Sequence, residues 1–166
     1  MGLPSLPATK KVRKVVSKIN WTECFDLVPV DDTEALAALV KTTFLESGIL
    51  SSNHIVDNSK LEKIVARIQS GYCMTPYHNF NHAVHVFMGV NSLLQHSRIK
   101  WTRIEKCALL FTAIIHDLEH QGVPNVQLVK ESSPLALKYN NQSVAENNSF
   151  DQSLNSKQFK NRSNDP

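Results

Sequence analysis

The sequence predicts an all-α protein, and three observations carry that expectation. Glycine is scarce, at 5 of 166 residues, while Leu, Ala, Val and Lys are common. Apolar residues recur at three- and four-residue spacing in four long stretches. Each stretch sits between recognisable helix start and stop signals. The length and a 42% hydrophobic content suffice for one core and one domain. The expected form is a compact helical bundle with no sheet and no internal repeat.

The elements follow in chain order. Residues 1–18 are a basic leader with two prolines, expected to be disordered. Trp21 to Val30 forms a short apolar connector. A helix is expected over 31–47, because Asp31, Asp32 and Thr33 suit a positive N-terminus and Leu36, Leu39, Val40, Phe44 and Leu45 form one stripe. Gly48 would stop it. A second helix, 59–70, follows Asp57-Asn58-Ser59, buries Leu61, Ile64, Val65 and Ile68, and ends at Gly71. Pro76 breaks the chain before a third helix, 79–96, with Val86, Val90, Leu93 and Leu94 as its apolar positions. Trp101-Thr102 opens a fourth, 102–117, carrying Ile104, Ala108, Leu109, Phe111 and Ile115. Gly122-Val123-Pro124 reads as a turn, with short helices at 125–130 and 134–139. From Asn140 onward seven asparagines and few large apolar groups appear, so 151–166 is expected to be a disordered polar tail. The folded unit is therefore expected at 19–150.

Charge and cysteine content narrow the function classes. The net charge is +3, but Lys10, Lys11, Arg13, Lys14 and Lys18 concentrate it in the leader. Without these five, 13 basic residues face 15 acidic ones, which argues against a nucleic-acid-binding surface. Cys24, Cys73 and Cys107 are odd in number and lack CxxC spacing, so they read as reduced thiols in a cytoplasmic protein. No stretch reads as a transmembrane segment or a signal peptide.

The chemistry lies in Tyr77-His78-Asn79-Phe80-Asn81-His82-Ala83 and in His116-Asp117-Leu118-Glu119-His120. Residues four apart on a helix share a face, which would align His78 with His82 and His116 with His120. A neighbouring His-Asp pair points to different faces and can meet at one ion only at a helix end or distortion, for which Gly122 and Pro124 provide. Imidazole with carboxylate suits zinc, iron or manganese, and a carboxylate bridging outward suits magnesium or manganese. Two such ions would bind a phosphate and activate water, with a histidine as proton donor to a departing alkoxide. An isolated histidine on an apolar face is more often a hydrogen-bonded core residue, and His54, His85 and His96 are read that way.

The ordered set Tyr77-His78-Asn79-x-x-His82-Ala83, His116-Asp117-x-x-His120-x-Gly122-x-x-Asn125, Pro134-Leu135-Ala136, Tyr139-Asn140 and Ser143-Val144-x-Glu146-Asn147 resembles the signature of class I cyclic-nucleotide phosphodiesterases. The resemblance covers roughly residues 19–148, the N-terminal half of such a catalytic domain. It implies a fold of the HD/phosphodiesterase type and hydrolysis of cAMP or cGMP to 5′-nucleotides in signal transduction. It implies that His78 is the general acid, that His82, His116 and Asp117 are zinc ligands, and that Asp117 also bridges to Mg²⁺ or Mn²⁺. His120 and Asn125 resemble residues that orient ligands and metal-bound water, Tyr77 a wall of the metal pocket, and Glu146 a glutamate bonded to waters around the second metal. Two departures stand out. Asn148 and Ser149 occupy positions where the family usually carries two histidines. The family's remaining aspartate ligand and its purine clamp, a glutamine and an aromatic residue, have no counterpart here.

Two other readings remain open. The chain could be a non-catalytic interaction protein, dimerising through exposed helix faces with itself or with a full-length phosphodiesterase. It could also be another HD-type phosphohydrolase, for which Asp151 and Asp165 are the only later aspartates.

Overall fold

In a computed structural model the protein is described over residues 32–47 and 57–155; the leader, the connector, Gly48, His54 and the last part of the tail lie outside these. Among the described residues there are seven helices and no strand: α1 (Thr33–Glu46), α2 (Asn58–Ser70), α3 (Phe80–His96), α4 (Arg103–Ile115), α5 (Asn125–Lys130), α6 (Pro134–Lys138) and α7 (Val144–Asn155). None of these is long and apolar enough to cross a membrane. Cys73 and Cys107 are free thiols.

The starts are set by side chains that take up backbone N–H groups left over at a helix N-terminus. Asp32 accepts from the Ala35 amide, Asp57 from Lys60, Asn79 from His82 and Ser133 from Ala136. Thr102 and Glu105 form a reciprocal capping box at α4. Gly71 ends α2, and a Cβ at that position would lie 2.8 Å from Leu118 Cδ1, so the glycine also makes room for the segment after α4.

The main core lies between α1, α2, α3 and α4. α3 packs chiefly on α4 and also on α1. At its centre Phe87 is 0% exposed and its ring meets Phe44 at 5.1 Å, a separation typical of a favourable tilted pair. α5, α6 and α7 form a smaller cluster around Leu128, Ala136 and Val144, joined to the main body by contacts of α7 with α4.

Four expectations need correction. On α3 the buried arc is Phe80, Ala83, Val84, Phe87, Met88, Asn91 and Ser92. Val86, Val90 and Leu94 pack only at its margin, and Leu93 is 55% exposed. Because α3 is covered on two sides, the arc takes in two polar residues that an apolar-only pattern omits. On α4 the buried positions are Leu110, Ala113, Ile114 and Ile115, while Ile104 is 83% exposed and Ala108, Leu109 and Phe111 also face outward. A helix that is apolar nearly all round has no unique stripe, and its partner decides which side is buried. Finally, the boundary at 150 falls inside α7, so Asp151 to Asn155 are helical instead of tail. α7 buries little apolar mass; it is held by Val144, Asn148 and Ser149 and by Asp151, which takes hydrogen bonds from Lys138 and Tyr139. His96 is exposed and bonds the Ser92 carbonyl at 2.8 Å, so it is not a core residue; half-buried His85 makes the equivalent bond to Asn81.

These faces predict a contrast within α3. Phe87→Ala should cost about 3–5 kcal/mol, whereas Leu93→Ala should lie within about 0.5 kcal/mol of the parent. Chemical denaturation of both variants measures this, and similar losses would contradict the assigned faces.

Candidate metal centre

The second motif brings its ligands together because α4 stops at Ile115. His116 caps the helix, and Leu118 N–H and His120 N–H then reach back three residues to the Ile115 and Asp117 carbonyls at 3.0 Å each. Glu119 adopts φ of 59° and Gly122 φ of 77°, so the chain leaves helical geometry at once. The predicted distortion therefore lies at 116–119, upstream of Gly122 and Pro124. His116 and His120 are not a pair on one helix. Nor are His78 and His82: α3 begins at Phe80 with Asn79 as its cap, and His78 precedes it. Asn79 also donates from Nδ2 to the Thr75 carbonyl, which anchors the segment holding Tyr77 and His78.

Three predicted ligands meet. His82 Nε2 lies 3.5 Å and His116 Nε2 3.0 Å from Asp117 Oδ2. One ligand atom from each of the three falls within 4.8 Å of the others, a grouping able to hold a divalent metal ion. Ligand atoms around a tetrahedral ion with bonds of about 2.0–2.2 Å are about 3.3 Å apart, so these spacings fit. The proton arrangement fits as well. His116 Nδ1 bonds the Ala113 carbonyl at 2.9 Å, and a carbonyl only accepts. In the neutral ring Nε2 is then a lone pair facing a carboxylate oxygen, a repulsive contact that a cation between them relieves. Burial, and next the nearby His116, lower the pKa of His82, keeping it in the neutral ligating form.

The other site residues frame this cluster. The His78 ring stacks on His120, with centroids 3.9 Å apart and planes at 18°. His78 and His82 are 6.1 Å apart, and Tyr77 covers both, at 4.9 Å from His78 and 4.4 Å from His82. His120 Nδ1 accepts from the Gly122 amide at 2.9 Å, and burial followed by the charge of His78 lowers its pKa. Asn125 accepts from the Ala145 amide and donates to Glu146 Oε2 at 2.9 Å. That hydrogen bond is the main reason the Glu146 carboxyl sits below its ordinary value.

Sequence reasoning missed the residues that fasten the turn. Buried Tyr72 donates its hydroxyl to the Ile114 carbonyl at 2.9 Å, and burial drives its pKa up. The Glu119 amide donates to the Gly71 carbonyl, and Ser149 Oγ donates to Leu118 O. Gly71 was legible only as a helix stop. No periodicity signals a tie between residues this far apart in sequence.

Comparison with known proteins places the chain in a family. The family model for 3′5′-cyclic nucleotide phosphodiesterase matches residues 77–164. The chain is 42% identical over 88 residues to 3′,5′-cyclic-AMP phosphodiesterase 4 of Dictyostelium discoideum, covering 52% of this chain and 8% of that protein. It is 33% identical over 153 residues to the human dual specificity calcium/calmodulin-dependent 3′,5′-cyclic nucleotide phosphodiesterase 1C, covering 89% and 21%. The crystal structure of the phosphodiesterase domain of the RhoPDE fusion protein from the choanoflagellate Salpingoeca rosetta matches with a TM-score of 0.76 and 31% identity, over 86% of this chain and 45% of that one. The chain thus spans about a fifth or less of those two curated relatives and under half of the solved domain. With an all-helical fold, the ordered motifs and a match over more than half its length, this chain belongs to the 3′5′-cyclic nucleotide phosphodiesterase family.

Proposed function

We propose that this chain supplies the metal-binding face of a phosphodiesterase that hydrolyses 3′,5′-cyclic AMP or GMP to the 5′-nucleotide. The observation that carries the reading is the convergence of His82, His116 and Asp117 beside His78. These three residues would hold Zn²⁺, and Asp117 would also serve Mg²⁺ or Mn²⁺. When bound, the ions neutralise phosphate charge and bring the pKa of a water near neutrality. The chain's own residues do the rest. His116 offers Nε2 because Nδ1 is engaged by Ala113. His78 donates the proton to the leaving ribose O3′ as the P–O bond breaks. Stacking on His120 limits the rotation of the His78 ring, and Tyr77 closes one side. Asn125 holds Glu146 ionised, where it can accept hydrogen bonds from water near the second ion. By family resemblance, the last zinc ligand and the purine clamp belong to the part of the domain that lies beyond the similarity to this chain. Free Cys73 and Cys107 support a cytoplasmic, reducing setting.

A second reading has one observation in its favour. Ile104, Ala108 and Phe111 lie on one side of α4 and are exposed, an apolar face of the kind that pairs with another copy or with a full-length relative. In that case the chain acts by association.

Three outcomes are expected. The purified chain should retain zinc after dialysis; His82→Ala should lose most of it, and His96→Ala, exposed at the far end of α3, should not. Equal stoichiometry in both variants would contradict the ligand set. In metal-free protein, stability should depend on His82 and His120. Their folded pKa values lie below the ordinary 6.5, so the unfolded chain binds protons first as pH falls. Their contribution is fully present above about pH 6.5 and is lost as pH falls toward the folded values. Denaturation midpoints in chelator should therefore drop from pH 7.5 to 5.5, and drop less for His82→Gln. The third outcome concerns turnover. Without a base clamp, nucleoside binding energy cannot position the phosphate. The isolated chain should hydrolyse cAMP and cGMP very slowly or not at all with Mg²⁺ or Mn²⁺. Robust turnover that disappears in His78→Ala would show these residues to be a sufficient enzyme.

A further inference from the structure

We propose that Ser149 is a positioning residue for the metal ligands: its hydroxyl fixes the orientation of the Leu118–Glu119 peptide and thereby the turn that carries His116 and Asp117. The proposal rests on the metal reading above and deepens it. A serine in a helix ordinarily bonds its own carbonyl four residues back, and Ser149 does lie 3.0 Å from Ala145 O. Its shorter contact, 2.8 Å, is to Leu118 O in a different part of the fold. Ser149 is only 2% exposed, so bulk water cannot readily replace this donor.

The Leu118 carbonyl and the Glu119 N–H belong to one peptide unit. Ser149 holds its oxygen, and the Gly71 carbonyl accepts from its nitrogen at 3.0 Å. That grip matters because Glu119 sits in the left-handed region, which is strained for a residue with a Cβ. Rotating this peptide would relieve the strain and shift the backbone next to Asp117. The two hydrogen bonds, one from α7 and one to the end of α2, oppose that rotation. Ser149 also stands at one of the two positions where this chain departs from the resembled family pattern, so the tie is a property of this sequence.

The test is a Co²⁺ titration of the full chain, read by the visible absorption of the bound ion, which reports coordination geometry. Ser149→Ala should bind Co²⁺ about 10–100-fold more weakly than the parent, the usual penalty for losing an outer-shell hydrogen bond, and with an altered spectrum. Thr43→Val is the control. It removes another buried hydroxyl, bonded to Leu39 O at 2.9 Å inside the main core, and should lower the melting temperature while leaving affinity and spectrum unchanged. Ser149→Ala with parental affinity and spectrum would overturn the proposal while the metal reading stands. A parent chain that takes up no Co²⁺ would overturn both. Should Ser149→Ala not fold, Ser149→Cys keeps the volume but donates weakly; reduced affinity supports the proposal, and parental affinity overturns it.

Discussion

The structure turns on one constraint. Successive residues of an α-helix point about 100° apart, so adjacent His116 and Asp117 cannot face one ion while the chain stays helical. The helix must end between Ile115 and Asp117 and must end the same way every time. Much of the surrounding fold serves that end. Tyr72 grips the last turn of α4 through the Ile114 carbonyl, and Gly71 leaves space for Leu118 while its carbonyl takes the Glu119 amide. His116 is itself oriented by the Ala113 carbonyl, so its ring is fixed by the helix it has just left.

The same constraint explains how the charges coexist. The site gathers His78, His82, His116 and His120 around one aspartate, and burial lowers the pKa of His82 and His120. His82 held neutral adds no positive charge to the cluster, and Asp117 still faces the ring nitrogens of His82 and His116. A divalent cation would satisfy the imidazole nitrogens and the carboxylate together. Glu146, held low by Asn125, adds negative charge near His120 without entering the cluster.

Helix starts, and the three side chains that converge, were legible in the sequence because both depend on local chemistry. Asp32, Asp57, Asn79 and Thr102 cap the chain a few residues from where they stand, and His82, His116 and Asp117 stand out by side-chain type. Buried faces were less legible. α4 is apolar on nearly every side, so its orientation depends on where α3 lies, which periodicity within α4 does not encode. α7 was misread because its anchors are small or polar: Ser149 and Asn148 are buried, and Asp151 is held by Lys138 and Tyr139. A composition rule that counts large apolar side chains gives such a helix no weight.

α7 also shows why a segment with little core can matter to the site. It touches α4 on one side and the small cluster around Leu128, Ala136 and Val144 on the other. The outer part of the site belongs to that cluster, because Asn125 opens α5 while Glu146 and Ser149 lie on α7. The inner part, His82 and His116, belongs to the main core through α3 and the end of α4. The segment 116–122 is the seam between the two bodies, and its ligands answer to both. A perturbation of α7 would therefore move Asp117 relative to His82 before it loosened the core around Phe87. Metal affinity should respond to changes on this helix more sharply than global stability does.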